Sequence, residues 1–367
     1  MATAEVTVVG GGIFGLSIAW ECARRGAQVR LIERGRIGCG ASGGLLGALA
    51  PHVPENWNEK KQFQLESLLM AEAFWAEVRA VSGVDPGYAR SGRLQPLADD
   101  RAVAQALART AGAARHWGGH ADWRVERADG AQDWTLPAPT GLWLRDTLSA
   151  RLHPRQAAAA LAAAIRAVGG SVEEGVLPEA GPILPGQEPP AGIFANERSA
   201  GPVIWATGVQ GLADLSAAVG RSVGRGEKGQ AALFACAAGA RPQLFVDALH
   251  IVPHGDGTVA VGSTSERQFD HAATTDGQLE DLIARARAIC PALAAAPVID
   301  RWAGLRPRAA SRAPMLGAWP GRAGHYLANG GFKIGFGMAP KVAEVIADLV
   351  LEGRDAIPAG FGVEDSF

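Results

Sequence analysis

A chain of 367 residues, 48% hydrophobic and 20% charged, is long enough for two domains and apolar enough to fill their cores. A formal net charge of −2 argues against a polyanion-binding surface, and so against nucleic acid as the partner. Cys22, Cys39, Cys236 and Cys290 lack zinc or redox-pair spacing, the N-terminus lacks a basic leading segment, and no apolar run reaches bilayer length; the reading is a metal-free cytoplasmic protein with no signal peptide and no transmembrane segment.

Val6-Thr7-Val8-Val9 reads as a strand, Gly10-Gly11-Gly12-Ile13-Phe14-Gly15 as a glycine turn opening a helix, and Val29-Arg30-Leu31-Ile32-Glu33 as a second strand ending in an acid. Gly10 makes the tight turn, Gly12 admits a pyrophosphate to the backbone, and Gly15 lets helix and strand pack closely. The helix N-terminus turns unpaired N–H groups and a positive dipole end toward the phosphates. Glu33 stands where an acid can accept hydrogen bonds from a ribose. This is a dinucleotide site, and NAD would satisfy it as well as FAD.

The first helix, 14–25, sets Leu16, Ala19 and Ala23 near one face and stops at Gly26. Residues 36–44 are too glycine-rich for a helix or strand and read as a ligand loop. Helical periodicity returns over 60–81 through Phe63, Leu65, Leu68, Leu69, Ala73, Phe74 and Val78. Residues 85–143 offer short apolar stretches, many turns and Trp117, Trp123, Trp134 and Trp143, read as core or interface packing in a second domain. A short strand is expected over 147–152, an alanine-rich helix over 155–168, a strand over 171–177 and a surface turn over 181–192. Val203-Ile204-Trp205-Ala206-Thr207-Gly208 ends a buried strand in small residues. Strands over 229–236, 243–253 and 258–264 favour an antiparallel sheet. Helices over 276–290 and 339–352 follow, the second after a strand at Tyr326-Leu327-Ala328 and a glycine loop.

The order of these landmarks resembles the D-amino-acid oxidase and glycine oxidase family of FAD-dependent enzymes, which also includes sarcosine oxidases and D-amino-acid dehydrogenases. The resemblance rests on Gly10 to Gly15 with Glu33, Gly40-Ala41-Ser42, Ala206-Thr207-Gly208, and the strand pair His250-Ile251-Val252-Pro253 and Val261-Gly262-Ser263-Thr264. It continues through Trp302-Ala303-Gly304-Leu305-Arg306-Pro307 and the loop from Asn329 to Pro340. It implies an α/β fold: a discontinuous Rossmann-like FAD-binding domain (1–84, 147–215 and 302–367) and a substrate domain on a mainly antiparallel sheet (85–146 and 216–301).

The implied cofactor is noncovalent FAD, since Cys39 is not where covalent relatives attach it. Its implied contacts are Gly10, Gly12, Ile13, Phe14, Gly15, Glu33, Arg34, Ala41, Ser42, Gly43, Ala48, Val176, Ala206, Thr207 and Gly208, with Gly330, Gly331, Phe332, Lys333 and Ile334 at the flavin pyrimidine edge. The helix after that loop would point its positive end at the N1 and C2 carbonyl region, stabilising reduced flavin. The implied reaction oxidises the C–N bond of a small amino acid or N-substituted glycine such as glycine, sarcosine or a D-amino acid. The neutral amine gives its Cα hydride to flavin N5, and water hydrolyses the resulting imine; no general base is required.

Arg306 stands where the family binds the substrate carboxylate, work suited to a planar, always charged guanidinium, although a structural ion pair is its other reading. Lys333 either assists the carboxylate, holds the flavin edge, or is a solvated surface lysine. His250 replaces the family's tyrosine, and either donates a hydrogen bond or packs on the sheet. His52 lies in a segment that passes near the reactive face of the flavin in relatives, and is otherwise an idle loop histidine. Ala309 and Ser311 replace a usual threonine and aspartate, which leaves the substrate open. Oxygen, or a quinone or electron-transfer protein, is the implied electron acceptor. Two rival readings share the fold: a tRNA-modifying oxidoreductase acting on a carboxymethylaminomethyl uridine, disfavoured by the charge, and a flavoprotein subunit without turnover.

Overall fold

The computed structural model describes residues 5–128, 133–176 and 201–367; the turn expected over 181–192 lies outside the described residues. The first half runs β1 (Glu5–Val9), α1 (Ile13–Arg24), β2 (Gln28–Glu33), β3 (Ala48–Leu49), α2 (Glu59–Ser82), β4 (Arg93–Pro96), α3 (Asp100–Trp117), β5 (Trp123–Arg127), β6 (Leu142–Asp146), β7 (Ala150–Arg151), α4 (Pro154–Ala167) and β8 (Ser171–Glu174). The second runs β9 (Val203–Trp205), α5 (Gly208–Val219), β10 (Gly224–Ala235), β11 (Gln243–Val246), β12 (Leu249–Pro253), β13 (Thr258–Gly262), α6 (Gly277–Ile289), β14 (Val298–Ala309), β15 (Met315–Ala318), β16 (His325–Asn329) and α7 (Gly335–Ala347). Among the described residues, no helix is long and apolar enough to cross a membrane.

Two large sheets organise the chain. The first has the order β15-β16-β9-β1-β2-β8, parallel except for the antiparallel edge strand β15. Both its faces are covered: Val6, Val8, Leu31 and Ile204 on one have no exposed surface, and Val9, Ile32 and Trp205 on the other are at most 5% exposed. Helix α1 is buried along nearly its whole length, from Ile13 to Ala23. Each such Leu, Ile or Phe contributes about 1.5–3 kcal/mol. From β1 the chain turns one way to β2 and the other way to β9, so the carboxyl ends of β1 and β9 flank a topological switch point, where open α/β sheets bind ligands.

The second sheet has the order β14-β10-β13-β12-β11-β4-β6-β5 and is antiparallel except where β11 runs parallel to β4. Both architectural expectations therefore hold. The expected boundary at 302 falls inside β14, which pairs with β10 from Val298 to Ala309.

The local differences have identifiable causes. The turn-rich reading of 85–143 missed α3, whose buried face is only Ala106, Ala113 and Trp117, too small to show as a large-apolar stripe. Its cap was nonetheless present, the Asp99 side chain accepting from the Ala102 N–H at 2.7 Å. The strand expected over 147–152 shrinks to β7, which pairs with β3; the longer strand β6 precedes it. Strand β8 stops at Glu174 rather than 177. Residues 41–43 form one 3₁₀ turn within the expected loop. Helix α7 begins at Gly335 rather than 339 and runs through Pro340 into a π-helical turn over Asp348–Glu352, because Gly335 and Gly337 disguised its first turn as loop. Trp117, Trp123, Trp134 and Trp143 are all buried, the first two packed edge to face.

Candidate active site

A cleft of about 1270 Å³ opens at the switch point and extends to β12 and β14 of the second sheet. Its nucleotide side is built by close backbone approach. Gly10 has φ +112, and a Cβ there would stand 2.4 Å from the Ala206 carbonyl oxygen; a Cβ at Gly15 would stand 1.9 Å from the Gly10 oxygen. Only glycine permits this turn and this helix–strand contact. Ser42 reaches back from its loop to accept the Ile13 N–H at 2.9 Å, fixing the loop against the start of α1. Glu33 accepts the Gly11 N–H at 2.7 Å and the Gly35 N–H at 2.8 Å, and lines the cleft with its remaining lone pairs.

Gly12, Ile13, Phe14, Arg34, Ala41, Ala48, Ala206, Thr207 and Gly208 also line the cleft. Gly15, Gly43 and Val176 do not. The two glycines are pressed against backbone, and Val176 donates its N–H to the Glu33 carbonyl at 3.2 Å from outside the lining. Gly15 and Gly43 thus shape the turn and loop that face the cleft, and Val176 lies behind Glu33.

The loop from Asn329 to Ile334 closes another part of the cleft. The Asn329 side chain donates to the Gly208 carbonyl and accepts the Gly330 N–H, both at 2.8 Å. The Phe332 N–H donates to the Pro307 carbonyl at 2.9 Å, and Gly331 bridges Arg308, so loop and β14 are stapled together. Gly330, Gly331, Phe332, Lys333 and Ile334 all line the cleft ahead of α7. Glycine-lined backbone, a carboxylate at the second strand end and two helix N-termini are the donor set a flavin dinucleotide requires, so the residues present fit FAD.

Arg306 enters the cleft from β14. It is only 8% exposed, and among the described residues it forms no ion pair. Its Nη1 donates to the Thr264 carbonyl at 3.1 Å. The neighbouring carboxylates are committed elsewhere: Glu227 to Arg308 and Arg225, Glu266 to Lys228. Burial pushes the guanidinium down to about 10, with Glu266 and Glu227 opposing, which leaves it charged at neutral pH. A Cβ at Gly229 would lie 1.9 Å from Nη1 and 2.0 Å from Cζ of Arg306. That glycine is what leaves the guanidinium its slot.

His250 lies on β12 and lines the cleft, its ring 4.4 Å from that of Phe245. Burial first, then Arg93 and Lys333, hold the imidazole down at about 3, so it is neutral, and its buried Nδ1 has no hydrogen-bond partner among the described residues. Lys333 is exposed within the cleft, its Nζ 5.7 Å from the Phe332 ring centre. Its pKa is lowered by desolvation, then by Arg306. His52 also lines the cleft but is tied to Gln64, whose Oε1 accepts the His52 N–H at 2.7 Å and contacts its ring Nδ1; burial lowers its pKa. Sequence reasoning missed Gly229, Thr264 and Arg93, the last a cleft-lining arginine on β4 whose only signal was a charge inside a short apolar stretch.

A Rossmann-type sheet, a second antiparallel sheet and a cleft between them with a buried arginine define a class of flavin-dependent oxidoreductase. The chain belongs to the DAO family of FAD-dependent oxidoreductases, whose family model matches residues 5–349. It is 29% identical to the glycine oxidase of Pseudomonas putida, over 98% of each chain. In structure it is similar to glycine oxidase from Geobacillus kaustophilus (TM-score 0.80, 23% identity, 98% of this chain and 99% of that one). It is also similar to iminodiacetate oxidase from Chelativorans sp. BNC1 (TM-score 0.75, 23% identity, 97% and 98%). The chain is an FAD-dependent enzyme that oxidises amino acids or amines.

Proposed function

We propose that Arg306 receives the substrate carboxylate, and that the substrate is a small amino acid or N-substituted glycine whose C–N bond is oxidised. The observation that carries this is a buried guanidinium lining the cleft with no ion-pair partner among the described residues, an arrangement that costs stability unless a ligand completes it. Bound FAD supplies the acceptor for the Cα hydride.

The chain's own residues position and exclude. Arg306 fixes the carboxylate, and with it the direction of Cα. Phe245 and Trp302 present apolar walls that keep water from the reacting carbon. Neutral His250 offers a hydrogen-bonding nitrogen without adding charge. Glu33, the Gly10–Gly12 turn and the amides of residues 330–334 hold the cofactor.

Anaerobic mixing of the holoenzyme with glycine, sarcosine, proline and D-amino acids tests the reading. At least one should bleach the flavin absorbance, and bleaching by none of them would overturn it. Replacing Arg306 by Ala should lower kcat/KM by about 30-fold or more, the cost of removing one partner of a buried charge contact, with FAD content per chain retained. Equal loss of activity and FAD would make Arg306 structural instead. The reduced enzyme is read as passing electrons to oxygen, or to a quinone or electron-transfer protein; its rate of reoxidation in air separates these. All four cysteines are free, which supports a cytoplasmic setting.

A further inference from the structure

The cleft carries more positive charge around its substrate receptor than one carboxylate needs. Arg306, Lys333 and Arg93 all line it. Arg93 uses Nε for Asp146, donating to Oδ2 at 2.9 Å, and the other Asp146 oxygen accepts the Ser149 N–H at 2.8 Å. That leaves both terminal amino groups of Arg93 without a partner among the described residues. Its guanidinium lies 5.5 Å over Phe245, whose ring packs on His250. Lys333 forms no ion pair among the described residues, although Glu227 acts on it from a distance. Arg93 and Lys333 both act on His250, and Arg306 acts on Lys333, so the four cleft-lining groups form a chain of electrostatic neighbours. The carboxylates that line the cleft do not answer this charge: Glu33 is bound to the Gly11 and Gly35 amides, and Asp214 accepts from Gln210 at 2.8 Å.

Like charges gathered in one partly desolvated cavity repel, and an anionic ligand offsets that cost. We propose that Arg93 and Lys333 form a second anion subsite beside Arg306, so that the preferred substrate is an amino acid bearing a second carboxylate, on its nitrogen substituent or on its side chain. The proposal rests on Arg306 as the receptor of the α-carboxylate. The neutral His250 between the two cations completes the subsite as a hydrogen-bonding group.

Anaerobic flavin reduction by the holoenzyme in two substrate pairs is the test. Iminodiacetate should exceed sarcosine, or D-aspartate should exceed D-alanine, by about tenfold or more in kcat/KM, a difference of one added charge contact. The first outcome puts the second carboxylate on nitrogen, the second on the side chain. Lys333→Gln and Arg93→Gln should each lower that ratio by about tenfold, and added salt should lower the dicarboxylate rate more than the monocarboxylate rate. Should Arg93→Gln fail to fold, leaving Asp146 unpaired, Lys333→Gln decides the matter. Monocarboxylates reacting as well as dicarboxylates, or a ratio unmoved by Lys333→Gln, would overturn the subsite while leaving the reading of Arg306 intact. No flavin reduction by any of these four or by glycine, proline or other D-amino acids would overturn both.

Discussion

The two sides of the cleft treat charge in opposite ways. On the nucleotide side Glu33 is answered by two backbone amides, and behind the cleft, in the helices that frame it, Glu21 pairs with Arg24 and Arg25 and Asp348 with Arg25 and Arg354. On the substrate side, among the described residues, Arg306 rests on a single carbonyl and Lys333 on none. The first arrangement is a frame complete before ligand arrives, and the second is a receptor left incomplete for the ligand to finish.

The largest test of that contrast is steric. Gly15→Val should abolish both FAD retention and the cooperative unfolding transition, because its Cβ cannot coexist with the Gly10 carbonyl; flavin absorbance per chain and thermal melting read it. Next, Asp348→Ala should cost about 1–3 kcal/mol of stability, the penalty for leaving Arg25 and Arg354 without their buried acceptor, while kcat/KM stays within its error. A change in kcat/KM would show that frame and receptor are not separable.

Gly229→Ala inverts that pattern. By pushing on the Arg306 guanidinium it should raise KM about tenfold, the equivalent of one lost charge contact, with FAD content and melting temperature nearly unchanged. The smallest effect is on pH. His250 is held at about 3, so it stays neutral from pH 5 upward, and His250→Gln should leave the shape of the kcat/KM profile between pH 5 and 9 as it was. An acidic limb near the ordinary histidine value that vanishes in His250→Gln would instead mean a charged imidazole in the cleft.

What was legible in the sequence follows the same division. The β1–α1–β2 unit could be read because its glycines answer to backbone geometry a few residues away, and the positions of Arg306 and the 330–334 loop followed from motifs. Helix α3 hid behind alanine and arginine, which give it a cap but no large apolar stripe. Gly229 could not be read, because its reason lies across the β10–β14 pairing, in a side chain 77 positions later. Arg93 was equally hidden: the pairing of β4 with β11, which sets Arg93 beside Gln243 in the sheet next to His250's strand, is long-range and leaves no local pattern.

Strand β14 carries Arg306, and one and two residues on, the Pro307 carbonyl and Arg308 hold Phe332 and Gly331 of the opposite loop. If occupancy at one end of that short path bears on the other, thermodynamic linkage requires the effect to be mutual. A nonreactive carboxylate that raises the equilibrium affinity for FAD by tightening the loop must itself bind the holoprotein more tightly than the apoprotein, and the two affinity ratios must be the same number. The strand would then serve as a balance arm between cofactor retention and substrate recognition, and apoprotein titrations could weigh it.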